Sequence, residues 1–272
     1  STLFPTRRSS DLLENRRDLI ARRDDLTIEF CALLNTTGRH TEVLALLASR
    51  KFQPWEGGEG LALGQHVRTH LALGRAAFRS VGLPPRDRLG ALSESKRLVG
   101  MPGPRPGDKR RPYTEEELRA LQTARTHFEA ALDAPKNLGE AKHLLANQSD
   151  IHFWLGCALE ATGDRVRARE HWTIAATFRG DFQDMSVRAF SELTYYSALA
   201  LEKLGRRAAA KKLLRALLAH ARRLAKTPAK IDYFATSLPT MLLFDENLSR
   251  RQKITALFLE AHARLGLGER AT

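Results

Sequence analysis

The sequence predicts an all-α chain of stacked helical hairpins, and three observations predict it. Apolar residues make up 43% of the 272, with Ala, Leu and Arg dominant and a mean hydropathy of −0.36. Wherever a pattern exists, apolar residues recur three and four apart, and β-branched residues rarely alternate with polar ones. Glycines at 38, 163 and 205 punctuate these runs, and apolar residues return at the same offsets after each. No ordered segment has the two-residue period of a strand, so no sheet is expected.

The clearest unit spans residues 150–176. Trp154, Leu155, Gly156 and Leu159 precede a turn at Gly163, and Ala168, Trp172 and Ala175 then share one helix face. Gly156 and Ala168 are small enough to let two antiparallel helices approach, while Trp172 fills the space towards the next pair. A hairpin of this kind leaves one apolar face open and must stack on neighbours. Around Gly205 the same offsets carry Ala210, Leu214 and Leu217, after a helix over residues 195–201. Around Gly38 they carry Val43 and Leu47 after Phe30, Leu33 and Leu34, although Arg50 stands where a small residue is wanted. Gly74 reads as the end of a helix bearing Leu61, Val67 and Leu71. Its partner comes only later, with Ala124, Phe128 and Ala131. A fifth hairpin begins at Ile254. The interval from Gly163 to Gly205 exceeds a period of about 34 residues, which predicts an extra turn or short helix near 181–187. Thr114 and Glu117 form a capping-box pattern; residues 137–140 read the same way, opening a helix with Lys142 and His143.

Segment boundaries follow from composition. Residues 1–12 resemble translated sequencing-adaptor read-through, and Arg7-Arg8 is followed by Ser-Ser-Asp instead of the apolar run of an export signal. They are excluded from the fold. Helical repeats are expected over 13–81 and 113–272. Residues 82–112, with six of the eleven prolines and five glycines, form a basic flexible insertion. The chain stops at the hairpin turn of Gly268, so the solenoid is expected to be truncated at both ends. The net charge of +13 is local, since residues 203–230 hold ten Lys or Arg and no acid. No run of eighteen apolar residues exists, which excludes a membrane-spanning helix. Cys31 and Cys157 lie in apolar helical stretches and read as buried thiols, and a cytoplasmic location is expected.

The hairpins resemble tetratricopeptide repeats. Three further strings, at 52–60, 137–143 and 231–239, make the chain similar to the C-terminal repeat region of large bacterial proteins. Those proteins carry, ahead of the repeats, a β-rich domain of unknown function numbered 5107. The resemblance covers residues 13–80 and 114–272, and the insertion departs from it. It implies an α-solenoid, an upstream domain outside this chain, and a loose link to carbohydrate handling.

The same strings supply the candidate site. Trp55, Glu56 and Glu59 could present a stacking surface with acceptors; Asn137, Glu140, Lys142, His143, Asp232 and Tyr233 could line the same groove. The competing reading makes each string a local joint, with Pro54 and its glycines turning the chain, Trp55 plugging the core and Asp232 capping a helix. His66 and His70 have the four-residue spacing of two metal ligands. No Glu follows His66 and no third ligand is identifiable, so no metal is expected. Lys211, Arg215, Arg222 and Lys226 lie opposite Ala210, Leu214, Leu217 and Ala221 without aromatics among them, a solvated face and not a nucleic-acid surface. No nucleophile elbow, dinucleotide fingerprint or Cys–His signature is present, and no cofactor is expected. The functional expectation is a non-catalytic module that binds a protein or peptide, including a domain of its own full-length protein. The alternative is an accessory segment of a carbohydrate-active or carbohydrate-binding bacterial protein.

Overall fold

The computed structural model describes residues 15–53, 58–82, 113–183, 186–229 and 247–269. Within them the order is α1 (Arg17–Ile20), α2 (Asp24–Thr36), α3 (His40–Ala48), α4 (Leu61–Ser80), α5 (Glu115–Leu132), a 3₁₀ turn (Lys136–Leu138), α6 (Ser149–Ala161), α7 (Arg165–Thr177), β1 (Asp181–Gln183), β2 (Ser186–Arg188), α8 (Thr194–Lys203), α9 (Arg207–Lys226) and α10 (Leu248–Leu267). The architecture is all-α apart from one antiparallel hairpin. Among the described residues no helix is long and apolar enough to cross a membrane.

Local chemistry starts and stops these helices. Thr114 accepts from the Glu117 backbone N–H while the Glu117 carboxylate accepts from that of Thr114, so the expected capping box opens α5. Asp164 and Asn247 cap α7 and α10 through their side chains. Gly163 and Gly205 adopt φ of 94° and 79° and reverse the chain between α6 and α7 and between α8 and α9.

Every substantial helix contact joins elements that are adjacent or next but one along the chain. The tightest contacts run through glycine. A Cβ on Gly74 would meet Phe128 Cε1 at 2.5 Å, and one on Gly156 would meet Trp172 Cδ1 at 2.6 Å. Trp154 then joins one hairpin to the next, edge-on to Phe78 with ring centres 5.8 Å apart and stacked on Phe128 at 6.2 Å. Lys203 of α8 lies 4.7 Å over the Trp172 ring and pairs with Glu160. One apolar core runs from α4 to α9. A second joins α1–α4 and Leu138, and a third joins α9 to α10. Cys31 and Cys157 are buried and unbridged, and burial pushes the Cys31 thiol up to about 12.

Several expectations change in three dimensions. Gly74 does not end its helix: α4 runs on to Ser80, and Gly82, at φ 68°, follows it. The extra element near 181–187 is the β1–β2 hairpin, which also corrects the expectation of no sheet. Residues 137–140 do not open a helix, because the chain is irregular from Glu140 to Gln148. Arg50 faces back into the first hairpin. It pairs with Asp24 at 2.5 Å, donates to Thr27 Oγ1 and the Ile20 carbonyl, and lies over Phe52. Residues 1–12, 83–112 and 231–239 lie outside the described residues.

Gly→Ala substitutions test the close approach. Helix propensity favours Ala by about 1 kcal/mol, whereas overpacking costs about 1–3 kcal/mol. Gly64 lies in α4 with nothing within 4 Å of an added Cβ. Gly64→Ala should therefore raise the chemical-denaturation midpoint, while Gly74→Ala and Gly156→Ala should lower it.

Candidate functional site

The segment between α5 and α6 carries four of the candidate residues, and the structure sends them in different directions. Asn137 reaches back to the C-terminus of α3. Its side-chain amide donates to the carbonyls of Leu47 at 2.8 Å and Arg50 at 3.0 Å, and its backbone carbonyl accepts from Phe52 N–H at 2.7 Å. Leu138 is buried in the same core as α2 and α3. These are the bonds of a joint.

Glu140 completes a different helix. The residue preceding α4 is Gly60, at φ 79°, which has no side chain to cap the first turn. The Glu140 carboxylate supplies the missing acceptor, taking the N–H of Gly60 and, at 2.9 Å, that of Leu63. A carboxylate is well suited there, because the first N–H groups of a helix lack intrahelical partners and carry positive potential. Glu59 is exposed beside this turn. Lys142 turns inward, donating to the Ala131 carbonyl at 2.8 Å and to Gln148 Oε1 at 3.3 Å. Burial lowers its ammonium to about 8, against the opposing pull of Asp133 and Asp150.

From His143 to Leu145 the segment faces water. The exposed His143 ring stacks on Phe182 of β1 with centres 3.8 Å apart and planes at 11°. Leu144 is 99% exposed and Leu145 57%. Phe182 pairs across the hairpin with Val187, itself 68% exposed. Beneath this apolar surface the base is polar and bonded throughout. Asn147 N–H donates to Asp181 Oδ1 at 3.0 Å and its amide to the Gly180 carbonyl at 2.8 Å. Ser149 N–H donates to Asn147 Oδ1 at 2.9 Å, and Ser149 Oγ to the Leu193 carbonyl at 2.7 Å. Burial raises the Asp181 carboxyl, and hydrogen bonds from Asn147 and Ser191 oppose that rise.

The candidate site is therefore a loop–hairpin face built of His143, Leu144, Leu145, Phe182 and Val187. Only His143 was among the residues expected from sequence. Two signals point to the others: the long interval between Gly163 and Gly205, and a Leu-Leu pair between two hairpins. Asn137 meets Leu47, Arg50 and Phe52, and Glu140 meets Gly60 and Leu63, as joints. Trp55, Glu56, Asp232 and Tyr233 lie outside the described residues. Among the described residues, no group of three or more His, Cys, Asp or Glu is arranged to hold a metal ion. No known protein family matches this chain, and no solved structure matches it.

The cap contributed by Glu140 is measurable. Glu140→Ala leaves two helix N–H groups without their charged acceptor, and such bonds contribute about 1.5–3 kcal/mol when well covered and less where solvent reaches them. A stability loss of about 1–2 kcal/mol in denaturant titration is expected. Amide exchange should quicken at residues 60–64, and Glu140→Gln should recover part of the loss. Unchanged exchange at 60–64 in Glu140→Ala would contradict the cap.

Proposed function

We propose that this chain is a non-catalytic interaction module, a tetratricopeptide-like α-solenoid that binds a polypeptide through its loop–hairpin face. The partner is a peptide, a separate protein, or a domain of the full-length protein to which the repeats belong. What supports the repeat reading is the sequential contact pattern, with glycine under an aromatic ring in two successive hairpins.

The observation that carries the binding reading is Leu144, 99% exposed on a segment whose two ends are fixed. Asn137 and Glu140 hold one end, and Asn147 and Ser149 hold the other. Function concentrates on loops positioned by a rigid scaffold. Burying one leucine against a partner contributes about 1.5–3 kcal/mol, and the ordering of the loop is already supplied by its anchors. The carbohydrate alternative rests on Trp55, Glu56 and Glu59, whereas the exposed Leu144, Leu145 and Val187 are apolar, which favours a polypeptide.

Selection of a peptide library on the purified full chain tests the proposal. Leu144→Asp combined with Leu145→Asp should weaken a selected peptide at least tenfold, with an unchanged denaturation midpoint. Lys211→Glu with Arg215→Glu on α9 should leave the same peptide within about twofold, because those cations are not part of the loop–hairpin face. Selection that yields no binder, or only binders indifferent to Leu144 and Leu145, would overturn the proposal.

A further inference from the structure

Two successive hairpins carry the same histidine pair at the same place. His70 of α4 lies one turn before Gly74, and His152 of α6 lies one turn before Gly156. Their partners are His127, next to Phe128 in α5, and His171, next to Trp172 in α7. Both pairs bring Nδ1 to Nδ1 at 2.9 Å. Ring centres stand 5.2 Å apart in the first pair and 5.1 Å in the second, which places the two nitrogens along the line joining the rings. Head-on geometry suits a shared proton. A metal ligated by both nitrogens would sit off that line, and both rings would have to swing to reach it.

An N–H···N bond requires one ring to donate and the other to accept. Each neutral pair therefore holds opposite tautomers, Nδ1–H on one ring and Nε2–H on the other. A first added proton goes to the free Nε2 of the donor ring and leaves the bond in place, now charge-assisted. A second must go to the acceptor's Nδ1. That step removes the acceptor and sets two cations against each other.

The surroundings resist the charge. Burial, then the neighbouring His66 and His127, lowers His70 to about 4; burial also lowers His127. His66 is held through its Nε2 by the Ala130 carbonyl, and Asp133 and Lys142 face it with opposite signs. Burial, then His171 and Lys142, lowers His152 to about 4. Burial and Arg167 lower His171, while Glu170 and Asp164 of its own hairpin and Glu129 of α5 pull the other way. Folded values below the free value of about 6.5 mean that the unfolded chain binds more protons. The bridges' contribution is thus fully present above pH 6.5 and is lost as pH falls towards 4.

We infer that the two bridges form a duplicated acid-sensitive latch, in which the second proton on a pair parts α4 from α5 or α6 from α7. The molecule contains its own comparison. Counted from Gly38 and Gly205, the places of His152 and His171 hold Thr27 and Leu46 in the α2–α3 hairpin, and Thr194 and Leu213 in α8–α9. Neither place carries an imidazole pair: His40 of α3 bonds the Asn35 amide of α2 instead, lowered by burial and by Arg68 and Arg75, and His220 of α9 stacks near Phe190, lowered by burial and Arg223. The latch stands independently of what the loop–hairpin face binds, although residues 133–148 connect the two latched hairpins.

Imidazole ¹⁵N–¹H correlation spectra of the full chain at pH 7.5 test the bridges directly. Each pair should show one Nδ1–H ring and one Nε2–H ring. Amide exchange at pH 7.0 and 5.0, corrected for the intrinsic rate, should show protection in α4–α7 falling at least tenfold more than in α8–α9. Replacing His70 and His127 together by Leu removes both polar partners at once, and should move the acid-unfolding midpoint to lower pH. Only Nε2–H tautomers in the wild-type protein, or equal loss of protection across all hairpins, would overturn the latch. Those two wild-type measurements decide the matter even if the double variant fails to fold.

Discussion

The distance between paired helices is the constraint on which this structure depends. Phe128 lies against Gly74 and Trp172 against Gly156, each where a methyl group would already collide. With that distance set, the ring edges of neighbouring hairpins can meet, and Trp154 contacts both Phe78 and Phe128. The histidine bridges depend on it too. One turn from each glycine, two imidazoles reach a 2.9 Å separation that a wider seam would not permit. Small residues here do not loosen the helices; they set how closely the large ones interlock.

Continuity between hairpins comes from a segment that is not helical. The stretch from Asp133 to Gln148 closes α3 through Asn137, caps α4 through Glu140, and holds the end of α5 through Lys142. Its inward bonds leave His143, Leu144 and Leu145 outside, with the His143 ring stacked on Phe182 of the only strands among the described residues. Polar chemistry is therefore spent on anchoring, and apolar chemistry is left facing solvent. That reversal of the usual division is what marks the face.

Basicity plays a different part. α9 turns Lys211, Lys212, Arg215, Arg222, Arg223 and Lys226 to water while Ala210, Leu214, Leu217 and Ala221 are buried. Arg222 approaches Glu260 of α10 at 3.8 Å. Such exposed pairs contribute little, so the apolar stripe holds α9 in place and its cations remain solvated.

The sequence by itself determined the helices and their pairing. Periodicity places Trp154 to Leu159 and Ala168 to Ala175 on facing helices, and Thr114 with Glu117 marks the start of α5. These features are local, being properties of residues within a turn or two of one another, and local patterns are legible in a string. Only the tertiary structure decided what depends on long-range approach. Glu140 reads as part of its own helix's cap, yet the N–H groups it accepts from lie 80 and 77 residues away. Gly74 reads as a helix end, yet it is a point of contact with a ring on the next helix. His70 and His127 lie 57 residues apart in sequence, and His152 and His171 lie 19 apart. No spacing rule links them; the fold brings them to one bond length because two helices meet over a glycine.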